Sequence, residues 1–129
     1  MSERGKWKLT VRAEFAASHS LRNYGGKCEA LHGHNFGVEL TVSGDRLAPD
    51  TDILVDFTVL KRDLKEVLDL LDHTHLNEVP PFDAVNPSSE NLARFIYRTI
   101  RPRVEAAGAR MESVTVAERA AQSATYWEE

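Results

Sequence analysis

Two histidines stand two residues apart in His32-Gly33-His34. In an extended segment both imidazoles point to the same face, because side chains alternate along a strand. Two converging imidazoles begin a metal site, and the intervening glycine leaves the backbone uncrowded. His19 lies at the end of an earlier alternating segment, from which a neighbouring strand can deliver it to the same point. Three histidines with an open fourth position are the donor set of a catalytic zinc site, not of a closed structural one. The competing reading is a pair of ordinary hydrogen-bonded histidines, since so short a motif arises often by chance.

Cys28 precedes His32 by four residues, in a polar loop with Gly25 and Gly26. A lone cysteine is usually a small buried hydrophobe, which fits this loop poorly. Near a cation its thiolate is favoured and becomes a base or nucleophile at neutral pH. Asp72-His73 pairs a carboxylate with an imidazole, which can orient the ring and raise its basicity. The alternative is a helix C-terminus where the imidazole meets the dipole and the carboxylate is solvated. His75 is a weaker candidate, and a structural role suffices for it. Glu118 shares strand parity with Val114 and Val116, which puts its carboxylate on an apolar face at a cost unless it is paired. A ring offering two parallel N–H donors, guanine-like or pterin-like, would satisfy it. It is solvated instead if the strand ends before it.

Gly26, His32, His34, Glu39 and Gly44 resemble the first motif of a cupin-type oxygenase site. The final Glu-to-Gly spacing is too short. Glu39 faces away from His34 in a regular strand, unless a bulge intervenes. The helical middle of the chain does not suit a double-stranded β-helix either.

The elements that must carry these residues are legible from periodicity. Trp7, Leu9, Val11, Ala13 and Phe15 alternate with polar residues, as do Phe36, Val38, Leu40 and Val42 in the segment from His32; both read as strands with one buried face. Phe57, Leu60, Leu64, Val67, Leu68 and Leu71 recur at helical spacing, with Asp56 or Thr58 as N-cap. Ser88 caps a second helix with the stripe Leu92, Phe95, Ile96 and Ile100, and Pro102 is expected to end or kink it. Met111–Glu118 and Ala124–Trp127 read as two last strands. The order strand-strand-helix-helix-strand-strand predicts an α+β fold: a four-stranded antiparallel sheet with two helices on one face.

With 129 residues the chain is expected to form one domain over 1–129. A net charge of −4 excludes a nucleic-acid binder driven by bulk charge. No apolar run follows the N-terminal charges and none is long enough to span a membrane. A single cysteine forms no internal disulfide, so a reducing, cytoplasmic location is expected.

Taken in order, Phe15-Ala16-Ala17-Ser18-His19, Cys28-Glu29-Ala30-Leu31-His32-Gly33-His34, Val55-Asp56-Phe57, Leu71-Asp72-His73-Thr74-His75-Leu76-Asn77, Pro87-Ser88-Ser89-Glu90-Asn91 and Val116-Ala117-Glu118 resemble the 6-pyruvoyltetrahydropterin synthase family. The bacterial 6-carboxy-5,6,7,8-tetrahydropterin synthase branch is the nearest in pattern. The resemblance spans nearly the whole chain. It implies the tunnelling fold and a homohexamer of two stacked trimers with sites at subunit interfaces. It implies zinc on His19, His32 and His34, Cys28 as the base, Asp72 and His73 as its relay, and Glu118 as anchor of the pterin ring. The implied substrate is 7,8-dihydroneopterin triphosphate, converted to 6-carboxytetrahydropterin, acetaldehyde and triphosphate on the way to queuosine and other 7-deazaguanines. Arg22, Lys27 and Arg119 are candidates for the triphosphate, each with the ordinary alternative of a surface charge.

The chain departs from the family pattern in three places. Ser88 replaces the usual Thr while keeping a capping hydroxyl, and Arg119 replaces a frequent Thr after Glu118. Glu29 stands beside Cys28. A related branch uses a Glu at that position to form 6-hydroxymethyl-dihydropterin, a folate precursor. Glu29 is thus an alternative base or a solvated loop residue. A 6-pyruvoyltetrahydropterin product, and a non-catalytic pterin- or purine-binding subunit on the same fold, stand as further alternatives.

Overall fold

The computed structural model describes residues 5–129, and of Cys28 only the backbone. Strand β1 spans Trp7–His19 and strand β2 spans His32–Gly44. Helix α1 covers Phe57–Leu68, and the two-residue strand β3 covers Thr74–His75. Helix α2 spans Ser89–Ala106, followed by β4 at Arg110–Arg119 and β5 at Gln122–Tyr126. Short 3-10 turns lie at Lys27–Glu29 and Leu76–Glu78.

The sheet has five strands in the order β3-β1-β2-β4-β5. It is mixed, which corrects the expected four antiparallel strands: β3 runs parallel to β1, pairing Ala17 with Thr74 and Ser18 with His75. Two residues are too few to show a period, so no pattern in the sequence announces β3. The other pairings are antiparallel. β1 also runs four residues past the apolar alternation, to His19.

The β1–β2 register decides the site. His19 lies opposite His32, Ala17 opposite His34 and Phe15 opposite Phe36. Directly opposed residues share a face, and each strand presents that face every second residue. The three histidines therefore continue the face that carries Val11, Phe15, Phe36, Val38 and Leu40 into the core. Leu60, Leu64 and Leu68 of α1 and Leu92, Ile96 and Ile100 of α2 are buried in the same cluster. The other face is polar, with Thr10 bonded to Thr41, Arg12 to Glu39 and Thr115 to Thr125.

Both helices start where their caps require. The Asp56 carboxylate accepts from Thr58 N at 2.8 Å, which settles the N-cap of α1 on Asp56. Ser88 Oγ accepts from Asn91 N at 3.1 Å at the start of α2. Pro102 does not end α2, which continues to Ala106. Proline lacks the N–H of the helical ladder, but its ring lies on the exposed side while Ile100 and Val104 stay buried.

Candidate metal centre and active site

The histidine cluster is built by register first and by backbone carbonyls second. His19 is fully buried, and its Nδ1 lies 2.7 Å from the carbonyl oxygen of Pro87. His32 Nδ1 lies 2.8 Å from the carbonyl oxygen of Ala30. A carbonyl only accepts, so both Nδ1 atoms donate and carry the proton in the neutral ring. That tautomer leaves each Nε2 with a free lone pair, the arrangement by which carbonyls orient metal-ligating histidines. One nitrogen from each of His19, His32 and His34 lies within 4.8 Å of the others. The rings meet edge to face, His19 against His32 at 4.5 Å and His32 against His34 at 4.9 Å between centroids.

His19 Nε2 and His34 Nε2 are buried without a hydrogen-bond partner. A buried polar atom left unpaired is costly, and two beside each other in one cluster suit a cation that accepts both lone pairs. Burial lowers the pKa of His19 and of His34, with the neighbouring imidazoles adding to the effect and Glu118 opposing it. Both rings are thus held neutral, the form that binds metal. The three residues fit a tetrahedral zinc site with one position open.

Glu118 stands next to this cluster. Its carboxylate oxygens lie 3.8 Å from His19 Nε2 and 3.6 Å from His34 Nε2, too far for hydrogen bonds. Its side chain is 18% exposed. Ser89 Oγ donates to it at 3.4 Å from the first turn of α2. Leu21, Ser88, Ser89, Glu90 and Glu118 line a pocket of about 220 Å³ on that side. Glu118 therefore lies on the apolar face, as its parity requires, and its remaining accepting capacity faces the pocket.

Asp72 and His73 are placed elsewhere. Asp72 Oδ1 accepts from Ala16 N at 2.9 Å, and His73 N donates to Ala16 O at 2.6 Å. Asp72 Oδ2 lies 2.9 Å from His73 Nδ1. The Ala16 amide, with the His73 ring second, holds the Asp72 carboxyl below its usual range. His73 has φ of 57°, in the left-handed region disfavoured for a residue with a Cβ, and its ring is 83% exposed. The dyad thus sits on the edge of β1 away from β2. It opens onto a shallow groove lined by Ser18, Gly33, His34 and Asn35. Among the described residues, no hydrogen bond or ion pair joins the dyad to the three histidines.

The thiol of Cys28 lies outside the described residues. Glu29 is exposed in the turn before β2. His75 Nδ1 is 3.0 Å from Ser18 Oγ, a tie between β3 and β1. The Arg22 guanidinium donates to the carbonyls of Phe82, Val85 and Asn77 at 2.7, 3.2 and 3.4 Å. That engagement leaves it poorly suited to hold a triphosphate. The carbonyls of Pro87 and Ala30 were not visible in the sequence, because only the folded loops bring them to the imidazoles.

The family model for 6-pyruvoyl tetrahydropterin synthase matches residues 8–129. The chain belongs to this family. A 6-carboxy-5,6,7,8-tetrahydropterin synthase from Synechocystis is 34% identical over 125 residues, covering 94% of this chain and 93% of that protein. A 6-pyruvoyl tetrahydrobiopterin synthase from Dictyostelium discoideum is 36% identical over 106 residues, covering 73% and 78%. The solved 6-pyruvoyl tetrahydropterin synthase of Caenorhabditis elegans matches the fold with a TM-score of 0.85 over 100% of both chains, at 23% identity. Membership brings a pterin synthase role, and the fold is the tunnelling fold. The two relatives are named for different products, so the family alone does not select one. Among the described residues, no helix is long and apolar enough to cross a membrane.

Proposed function

We propose that this protein is a zinc-dependent synthase acting on 7,8-dihydroneopterin triphosphate, with 6-carboxy-5,6,7,8-tetrahydropterin, acetaldehyde and triphosphate as products, in the supply of 7-deazaguanines such as queuosine. The observation that carries the reading is the pair of buried, unpartnered Nε2 atoms on His19 and His34, aimed with His32 at one point. Zinc held there would act as a Lewis acid toward side-chain oxygens of the substrate and make the neighbouring C–H more acidic. Glu118 accepts from the ring N–H groups of the pterin, a two-point contact that fixes its orientation. Cys28 takes the proton as thiolate, and Asp72 and His73 keep it in that form.

Among the described residues no hydrogen bond or ion pair joins the dyad to the chain's own histidines, which favours a partner for it in a neighbouring subunit. The edge of β1 favours assembly as well. β3 covers two of its thirteen residues, and a bare edge is a template for pairing with another chain. The reading therefore includes a homohexamer in a reducing, cytoplasmic setting, with one domain over 1–129.

Incubating zinc-loaded protein with the substrate and identifying products by chromatography tests this function. The expected product is the carboxy-pterin, lost in Cys28→Ala. No turnover by protein with zinc confirmed bound overturns it. Glu29, exposed beside Cys28, favours one secondary activity: hydroxymethyl-dihydropterin formation, which Glu29→Ala would selectively remove. Metal analysis separates both from a non-catalytic pterin-binding subunit, whose ligand binding would survive a chelator.

A further inference from the structure

β1 leaves its partner strand at Ser18, the last residue paired with β3. The next residues nevertheless keep their backbone bonds, and side-chain carboxamides supply them. Asn77 Oδ1 accepts from Ser20 N at 2.9 Å while Asn77 Nδ2 donates to Ser20 O at 2.9 Å. Asn86 repeats the arrangement on Arg22, at 2.8 and 2.9 Å. A carboxamide offers both an acceptor and donors, so it can stand in for the N–H and C=O of a neighbouring strand. Ser20 and Arg22 are two apart, the spacing at which an extended chain presents its polar groups to one edge.

The two asparagines thereby prolong the ladder past the point where the strand partner ends. Ser20 and Arg22 flank Leu21 and follow His19 directly, and on a period of two His19 and Leu21 share the other orientation. His19 is the buried metal-site residue, and Leu21 lines the pocket beside Glu118. Asn86 is attached twice over: its side chain grips Arg22, and the carbonyl of the next residue, Pro87, accepts a hydrogen bond from His19 Nδ1. Asn91 Nδ2 donates to Asn86 O at 2.9 Å and ties the assembly to α2.

We propose that Asn77 and Asn86 are positioning residues, whose carboxamide pairs with the backbone of Ser20 and Arg22 hold His19 Nε2 in the metal site and Leu21 in the pocket wall. This rests on the metal reading of the three histidines. Residues behind a ligand commonly change metal affinity by about 10–100-fold when replaced, and the same range is expected here.

The experiment titrates the metal-free full-length protein with Co²⁺, following its visible absorption, and measures Zn²⁺ affinity by competition with a chelating dye. Asn77→Asp and Asn86→Asp keep the shape but cannot donate to the facing carbonyl. Each is expected to bind about 10–100-fold more weakly than wild type and to show an altered cobalt spectrum. Thr10→Ala, which removes a bond on the polar face, serves as the control for general destabilisation and should leave affinity and spectrum unchanged. Should the Asp variants fail to fold, Asn77→Ser and Asn86→Ser decide: a hydroxyl is too short to make both bonds of the pair, and a loss in the same range of about 10–100-fold is expected. Affinity within twofold of wild type with an unchanged spectrum, in whichever of these variants folds, overturns the proposal. A wild type that binds neither metal overturns the metal reading, and this inference with it.

Discussion

At the scale of single residues the candidate metal centre is a matter of protonation. His19 and His34 have folded-state pKa values below the ordinary 6.5, chiefly through burial. A group whose pKa falls on folding binds protons more readily in the unfolded chain, so it opposes folding as the medium acidifies. Stability is complete above about pH 6.5 and is lost as pH falls through the lowered folded values. Metal affinity falls in the same direction, since protons compete for the Nε2 atoms. Thermal melts of metal-free protein from pH 8 to pH 5 should show decreasing Tm, and the loss should shrink in His19→Phe, which removes one such group. His19→Ala should abolish tight zinc binding, measured by metal content after dialysis, because two imidazoles remain where three are needed. The grouping of these three imidazoles was legible in the sequence. Their tautomers were not, because they depend on the carbonyls of Pro87 and Ala30, and no pattern in a sequence shows which loop oxygen a ring will meet.

At the scale of elements the fold follows from periodicity and capping. The alternation of Trp7–Phe15 and of the segment from His32 gave both long strands and, through their shared inward face, the alignment of the histidines. Ser88 was readable as a cap because a hydroxyl stands before an amphipathic run. Ser88→Ala should cost about 1 kcal/mol of stability in denaturant melts. It should also weaken pterin binding, since the first turn of α2 carries Ser89 against Glu118. Leu64→Ala, in the fully buried face of α1, should cost about 2–5 kcal/mol with the zinc site intact in protein that remains folded. β3 escaped the sequence because its direction is set from outside itself. Asp72 and His73 clasp the backbone of Ala16, and the chain that follows is thereby laid parallel to β1. The dyad is thus a structural fastener as well as a candidate relay, and a helix C-terminus with a solvated carboxylate does not describe it.

At the scale of the whole molecule, the open side of β1 and the polar face of the sheet set the terms for assembly. Ala16 turns its N–H and C=O toward the β3 side. Alternation gives Arg12 and Glu14 the same direction, toward the uncovered edge. Arg12→Pro removes one edge N–H without touching the β1–β2 ladder, the position where a strand tolerates proline. It is expected to convert an assembled protein to smaller species by size-exclusion chromatography, with the far-ultraviolet circular dichroism retained. An unchanged elution volume would mean that the β1 edge is not the contact.

The placement of the histidines on the core face and of the Asp72–His73 dyad at the far edge has a genetic consequence. If each working site combines one chain's histidines with its neighbour's dyad, defects in the two halves are complementary. His19→Ala and His73→Ala would each be inactive alone. Co-assembled in equal amounts, they would regenerate intact sites wherever a chain with sound histidines abuts one with a sound dyad, about a quarter of the positions under random closed-ring assembly. A cell carrying both faulty alleles would then outperform a cell carrying either one.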